Sequence, residues 1–422
     1  MKGHKKYLLG LLIISLLFSG CSNISKPVQK VEKEIKKVEE KTEKPEEKEK
    51  ETKKVVEKEE DKEMNMDKYN KFVNESYNVI FKDYIMDTKE KNLIYSPYSY
   101  KMALEGVGKV TNVFNEDDYL SEAVKSNMPQ NLDSVKTKNL VMLDKMNFDT
   151  QDKDISLVLF PDEGKELSVK TQKEVLGHVL LEPMYTVDTR FVSLNATKFE
   201  SKWEKPFKIT EKDEFNAFND VLSDKDFLYG EIDKVAYTDE DVEVGRKELK
   251  EEGSYVYFVS PKKFERDNLE KVASKISEYV KAFEEQGTVT KTDNDVLSKS
   301  NNNVRIYDEV NVSIPKIDAE STIDILKAEA NNGHAQLIDN FDYKDSIKSA
   351  YKQGSIDYIM QVANMKLDEE GVKAEAVTEM VSVMSMLLEE KEKDILDIDC
   401  SHPHFVVCVS QGVITFIGFI GY

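Results

Sequence analysis

Between Ser22 and Glu63 the chain carries 13 Lys and 14 Asp or Glu, broken by Pro27 and Pro45, with only scattered Val and Ile. A stretch of that composition cannot offset its ordering entropy by burial. Val28, Val31, Ile35 and Val38 fall at heptad-like spacing, but two weak heptads ending at Pro45 fall short of a coiled coil. Residues 22–66 are therefore expected to be a solvated tether, with a reach on the order of 35 Å. Folding is left to residues 67–422, and hydrophobic residues make up 40% of the chain, enough for a large core. The whole chain carries a net charge of −21, and since the leader before the tether is basic and the tether nearly neutral, that acidity belongs to the body. Such acidity repels phosphate backbones and acidic membrane surfaces, so the expected partner is a protein or small molecule and no nucleic acid.

Residues 1–21 read as a secretory leader: Lys2, Lys5 and Lys6, an apolar run from Tyr7 to Phe18, then Ser19-Gly20-Cys21. The run is too short for a stable membrane span. Small residues just before a lone Cys resemble the lipobox of bacterial lipoproteins, with Phe18 where that pattern usually has Leu. The resemblance implies that Cys21 becomes the lipidated amino terminus, and two or more acyl chains hold a protein on a membrane stably. An ordinary secreted protein cut near Cys21 is the alternative.

The three Cys do not make a disulfide framework, and no zinc-type spacing is present. Cys400 and Cys408 lie in a strand-like stretch that holds them roughly 26 Å apart, so they are expected to be unpaired thiols facing the core. His402 and His404 share a strand face, but two ligands without a third are weak grounds for a metal. Gly-rich phosphate loops, the Gly-x-Ser-x-Gly elbow and His-Glu-x-x-His are all missing. The sequence does not look like an enzyme, and no cofactor or metal is expected.

Helical periodicity covers Tyr69 to Asp83 and Ser96 to Val110, the latter opened by a Ser-Pro cap. Strand-like runs occupy Phe191 to Ala196, Tyr255 to Val259, Asn311 to Ile314 and Phe405 to Tyr422. The last is broken by Gly412 and Gly418, as paired central strands with turns would be. The mixture predicts an α+β body.

Four local motifs then follow in order: Asn92 to Ser99, reading NLIYSPYS; Leu194 to Phe199 with Trp203 and Pro206-Phe207; Asp368-Glu369-Glu370-Gly371; and His402-Pro403. Together they resemble the serpins, the serine protease inhibitor family, over Lys68 to Tyr422. The resemblance implies three β-sheets (A, B and C), eight or nine helices and an exposed reactive centre loop over about 371–392. It places Trp203 at the upper "breach" of sheet A. The segment from Asn112 to Gly177 matches poorly, and its elements stay undefined.

In the family, a protease cuts the exposed loop, and the loop then inserts into sheet A as a new strand. Insertion demands alternation after the hinge Glu369-Glu370-Gly371. The inward set would be Val372, Ala374, Ala376, Thr378, Met380, Ser382 and Met384, none of them charged. Lys373, Glu375 and Glu379 all fall on the outward set. Ala374, Val377, Val381, Met384 and Leu388 also recur at helical spacing, so an inert helical loop competes with the strand.

Glu375 lies where inhibitory members usually have Ala, and Val372 replaces the common Thr or Ser. Gln361 aligns with the family's buried "shutter" His, and Ser96, Ser99 and Asn195 match its partners. Gln both donates and accepts, so that cluster can form without a titrating imidazole. Counting Glu369 as the seventeenth residue before the cut places the reactive bond between Ser385 and Met386, with Met384 and Leu387 as neighbouring candidates. Without Lys or Arg there, elastase-like, subtilisin-like or chymotrypsin-like targets are expected, with papain-like enzymes as a further class. The expectation is a monomeric, extracellular, membrane-tethered inhibitor that traps its target endopeptidase covalently. Two alternatives stand beside it: a non-inhibitory member whose loop is merely cut, and a solute-binding lipoprotein.

Overall fold

The computed structural model describes residues 66–87, 91–114, 118–126, 128–129, 131–207, 209–218, 220–285, 303–334, 341–356, 359–372 and 394–422. Cys21, the tether before Met66 and the loop residues Ala374, Ala376, Thr378, Met384, Ser385, Met386 and Leu387 lie outside them. Among the described residues no helix is long and apolar enough to cross a membrane.

At the centre stands the hairpin His404–Ser410 and Val413–Ile420, whose strand residues are all buried. That explains the unbroken apolar run, because neither face meets water. Gln411 and Gly412 turn the chain with φ of 50° and 77°, the left-handed region that glycine adopts without strain. Gly418, expected at a turn, instead lies inside the second strand, paired with Ile94 and Val406. A Cβ there would sit 3.0 Å from Met365 Sδ and 3.2 Å from Ile94 Cδ1. The glycine is thus a point of close approach between layers, a role that a turn signal mimics.

Asn92–Tyr95 pairs on one side of the hairpin and Ser254–Pro261 on the other, followed by Val242–Glu248, Val235–Thr238 and Val304–Ile306, which completes seven-stranded sheet B. One face of sheet B packs on helices 66–81, Pro97–Val110, Tyr119–Lys125, Arg266–Ala273 and Ile276–Glu284 through Tyr69, Phe72, Leu269, Phe405 and Phe419. The other face carries Phe258, Val406 and Phe416 against Met365 and Leu367 of sheet A and Val312 and Ile314 of sheet C. Sheet C comprises Ile395–Asp399, Glu309–Pro315, Asp220–Glu231 and Ile209–Ala217. The layers are therefore helices, sheet B, and then sheets A and C, an α+β architecture. Cys400 and Cys408 are free and buried as expected, and burial pushes the Cys408 thiol up to about 12.

Ser96 caps the Pro97–Val110 helix, its Oγ accepting from Ser99 N at 3.1 Å. The segment that stayed undefined in sequence contains the Tyr119–Lys125 helix, the strands Val135–Asp144 and Ile155–Val158, and the helix Asp162–Leu176. That last helix ends on Gly177, in the left-handed conformation at φ 85°.

Sheet A is present as two halves. One holds Ile155–Val158, Val135–Asp144 and Phe191–Phe199; the other holds Ile317–Asp324, Met360–Leu367, Gly371–Val372 and Ser201–Lys202. Among the described residues no ladder joins Phe191–Phe199 to Met360–Leu367.

Candidate functional site: the hinge and the gap in sheet A

A cavity of about 630 Å³ lies where those two strands face each other. Asn195 and Thr197 line one wall, Gln361 and Ala363 the other, and Ser96 and Leu180 also reach it. Along Met360–Leu367 the buried residues alternate, with Gln361, Ala363, Met365 and Leu367 turned to the core. Along Phe191–Phe199 only Ala196 and Phe199 are buried, as befits a strand with an open edge.

The hinge closes the top of this gap, and each residue of Asp368-Glu369-Glu370-Gly371 has a distinct task. Asp368 Oδ1 accepts from Glu370 N at 3.0 Å and Gly371 N at 3.3 Å, while Asp368 N donates to Gly371 O at 3.1 Å. This side-chain turn reverses the chain tightly. Glu369 pairs with Lys316 at 2.7 Å, and Glu370 lies 3.4 Å from Lys202. The Lys316 ammonium holds the Glu369 carboxyl below its usual range. At Gly371 a Cβ would lie 2.4 Å from Ser201 O and 2.7 Å from Lys202 Cα, so any side chain would displace backbone. Val372 then pairs with Leu367 on one side and Ser201 on the other, and its side chain is buried.

Trp203, fully buried, fastens the turn from below. Its indole Nε1 donates to Asp368 O at 2.8 Å, its backbone N to Glu370 O at 2.9 Å, and Phe207 N to Glu369 O at 3.0 Å. Three consecutive hinge carbonyls are thereby satisfied from one short segment. Lys247 Nζ lies 4.6 Å over the Phe207 ring, and burial lowers its pKa.

Gln361 and Ser96 form a reciprocal pair, Ser96 N to Gln361 Oε1 at 2.8 Å and Gln361 Nε2 to Ser96 O at 3.0 Å. Ser96 Oγ donates to Thr415 O at 2.7 Å, tying the pair to sheet B, and Ser99 joins through its backbone. Asn195 stands across the gap from them. Its Nδ2 donates to Thr137 Oγ1 at 3.0 Å and Asn139 Oδ1 at 2.8 Å, and its Oδ1 accepts from Thr197 at 2.6 Å. The expected four-residue cluster is thus divided between the two halves of the sheet, because the strands that carry it are apart.

His402 and His404 gain no third ligand among the described residues. His404 Nδ1 donates to the His402 carbonyl at 2.7 Å, and burial lowers the His404 imidazole to about 3. No group of three metal-ligand side chains occurs among the described residues. Sequence reasoning missed Lys316, Lys202 and Thr415, and it named Phe207 only as part of a motif. For the two lysines a signal existed, since two adjacent carboxylates beside a tightly packed glycine call for counter-cations.

The profile of the serpin (serine protease inhibitor) family matches residues 167–421. The chain belongs to the serpin family. The serpin fold extends beyond that match: Serpin48 of the insect Tenebrio molitor superposes with a TM-score of 0.60 at 20% identity, covering 85% of this chain and 98% of its own. The thermophilic serpin tengpin in its native state gives 0.64 at 16% identity over 84% and 94% of the two chains. A serpin from the trematode Schistosoma haematobium gives 0.57 at 16% identity over 84% and 99%. No curated protein sequence matches the chain. As a serpin, the molecule is of protease-inhibitor type.

Proposed function

We propose that this serpin is a membrane-tethered, extracytoplasmic inhibitor that traps its target endopeptidase by inserting the cut loop into sheet A. The observation that carries the reading is the hinge: Gly371 and Val372 already occupy strand position between Leu367 and Ser201, directly above an unfilled gap. Val372 faces the core. Continued in the same register, Ala374, Ala376 and Thr378 would also face inward and Lys373 and Glu375 outward. In the trapping reaction the target's nucleophile attacks the Ser385 carbonyl, the Met386 amine leaves with a proton, and the resulting ester, or thioester where the nucleophile is a cysteine thiol, tethers the protease to the inserting strand.

Incubation with elastase-like, subtilisin-like, chymotrypsin-like and papain-like endopeptidases should give a covalent complex on denaturing gels. Its absence with every enzyme would refute trapping. Mass spectrometry of the released carboxy-terminal fragment should find Met386 as the new amino terminus, and a start outside Ser385 to Leu387 would show the bond to be misplaced. Replacing Ala376 by Arg would force an unpaired charge into the buried face and should abolish the complex while the fold survives. Tethering rests on the leader: Cys21→Ser should move the protein from the membrane to the soluble fraction.

A further inference from the structure

Glu329 is fully buried, yet it belongs to a short exposed-end helix, Ile325–Asn331. Its carboxylate collects three donors: Tyr100 OH at 3.2 Å, Tyr119 OH at 2.5 Å and His334 Nδ1 at 2.8 Å. The three come from the Pro97–Val110 helix, the Tyr119–Lys125 helix and the chain just past Asn331. Local geometry places the imidazole. Gly333, at φ 94°, ends the helix in the left-handed conformation, and His334 N returns to Glu329 O at 3.0 Å. The ring is thereby turned under its own helix, edge-on to Tyr119 with centroids 5.0 Å apart.

A buried carboxylate needs a counter-charge as well as hydrogen bonds. Its ion-pair partner among the described residues is His334, whose side chain is 24% exposed and so within reach of solvent protons. The charged groups that act on the ring from neighbouring elements are Asp118, at the start of the Tyr119–Lys125 helix, and Glu75 of helix 66–81. The hydrogen bond to Glu329 raises the His334 pKa above its ordinary value against the opposing effect of burial, and these two acidic groups add to the rise. The same helix is tied to the gap, because Ile325 N donates to Ile359 O at 2.8 Å, next to the strand Met360–Leu367.

We infer that Glu329 and His334 form a pH-sensitive latch, closed when His334 is protonated, that holds the gap-bordering strand to the helical layer. A group whose folded pKa is raised adds stability that is complete below the unfolded value, about 6.5, and lost as pH climbs through the folded value. The latch therefore loosens on the alkaline side.

Thermal melts of the uncut full chain between pH 5.5 and 8.5 test it without any protease, so failure here is separate from failure of the trapping reading. The difference in Tm between wild type and His334→Gln, which keeps a neutral donor, should be largest at pH 5.5 and shrink by about 2 °C or more by pH 8.5. A constant difference would overturn the latch. NMR titration of the His334 ring gives a second reading, independent of the variant's folding. A midpoint above about 6.5 is expected, falling in Glu329→Gln; a midpoint at or below it in wild type would also overturn the proposal.

Discussion

Sheets A and B resolve their edges in opposite ways. In sheet B seven strands form one continuous ladder, and every residue of His404–Ser410 and Val413–Ile420 is buried. In sheet A the ladder stops between Phe191–Phe199 and Met360–Leu367, leaving a cavity and a half-exposed strand. Backbone groups along such an edge are left to water or to a later partner. The contrast assigns stability to one sheet and readiness for change to the other.

The sharpest way to break this contrast is to truncate one aliphatic side chain to alanine in each sheet. Ile417→Ala, in the centre of sheet B, should cost about 2–5 kcal/mol in denaturant unfolding, whereas Val192→Ala beside the gap should cost about 1 kcal/mol or less. Similar losses at both sites would erase the distinction. Next in size is Gly371→Ala. Its Cβ must displace the Ser201 and Lys202 backbone, and a cost of about 1–3 kcal/mol is expected, with slower complex formation if the hinge seat matters.

The smallest effect sharpens the comparison at the junction of the sheets. Glu369→Gln removes a half-exposed ion pair with Lys316, worth about 0.2–1 kcal/mol in double-mutant cycles. Because the folded pKa of Glu369 is depressed, that contribution is present above the unfolded carboxylate value and is lost as pH falls through the folded one. Wild type and Glu369→Gln should therefore differ at pH 7 and converge near pH 3, and a gap that persists in acid would contradict the assignment.

The same contrast explains what could be read from the amino acids. In sheet B the runs Tyr255 to Val259 and Phe405 to Tyr422 announced themselves through Val, Ile and aromatic residues, whereas Val242–Glu248, Val235–Thr238 and Val304–Ile306 did not, and the Ser96-Pro97 cap marked a helix start correctly. Val135–Asp144 begins VKTKN, where half-buried and exposed residues alternate with only one apolar side chain among them, so that half of the strand offered pattern reasoning no apolar period to find. Gly418 was misread because a close contact between layers and a turn both demand glycine. The hinge was legible as a motif, but its fastening was not: Trp203 lies 165 positions from Asp368, and nothing local foretells that an indole N–H will meet that carbonyl. Asn195 shared its family's residue type without sharing its partners, since partnership across a sheet depends on whether the sheet is closed.

The seat of Gly371 and Val372 also bears on speed. Starting a new strand is the hard part of adding one, because chain freedom must be given up before the first pairing contacts compensate. Here the first pairing contacts exist before any bond is cut. On the trapping reading proposed above, cleavage would leave only extension from an existing nucleus, in the manner of a zipper whose lowest teeth are engaged. Extension from a nucleus has a fixed parity and no search over registers. On that reading, strand addition competes with hydrolysis of the ester, and a nucleus formed in advance favours the inhibitor's side.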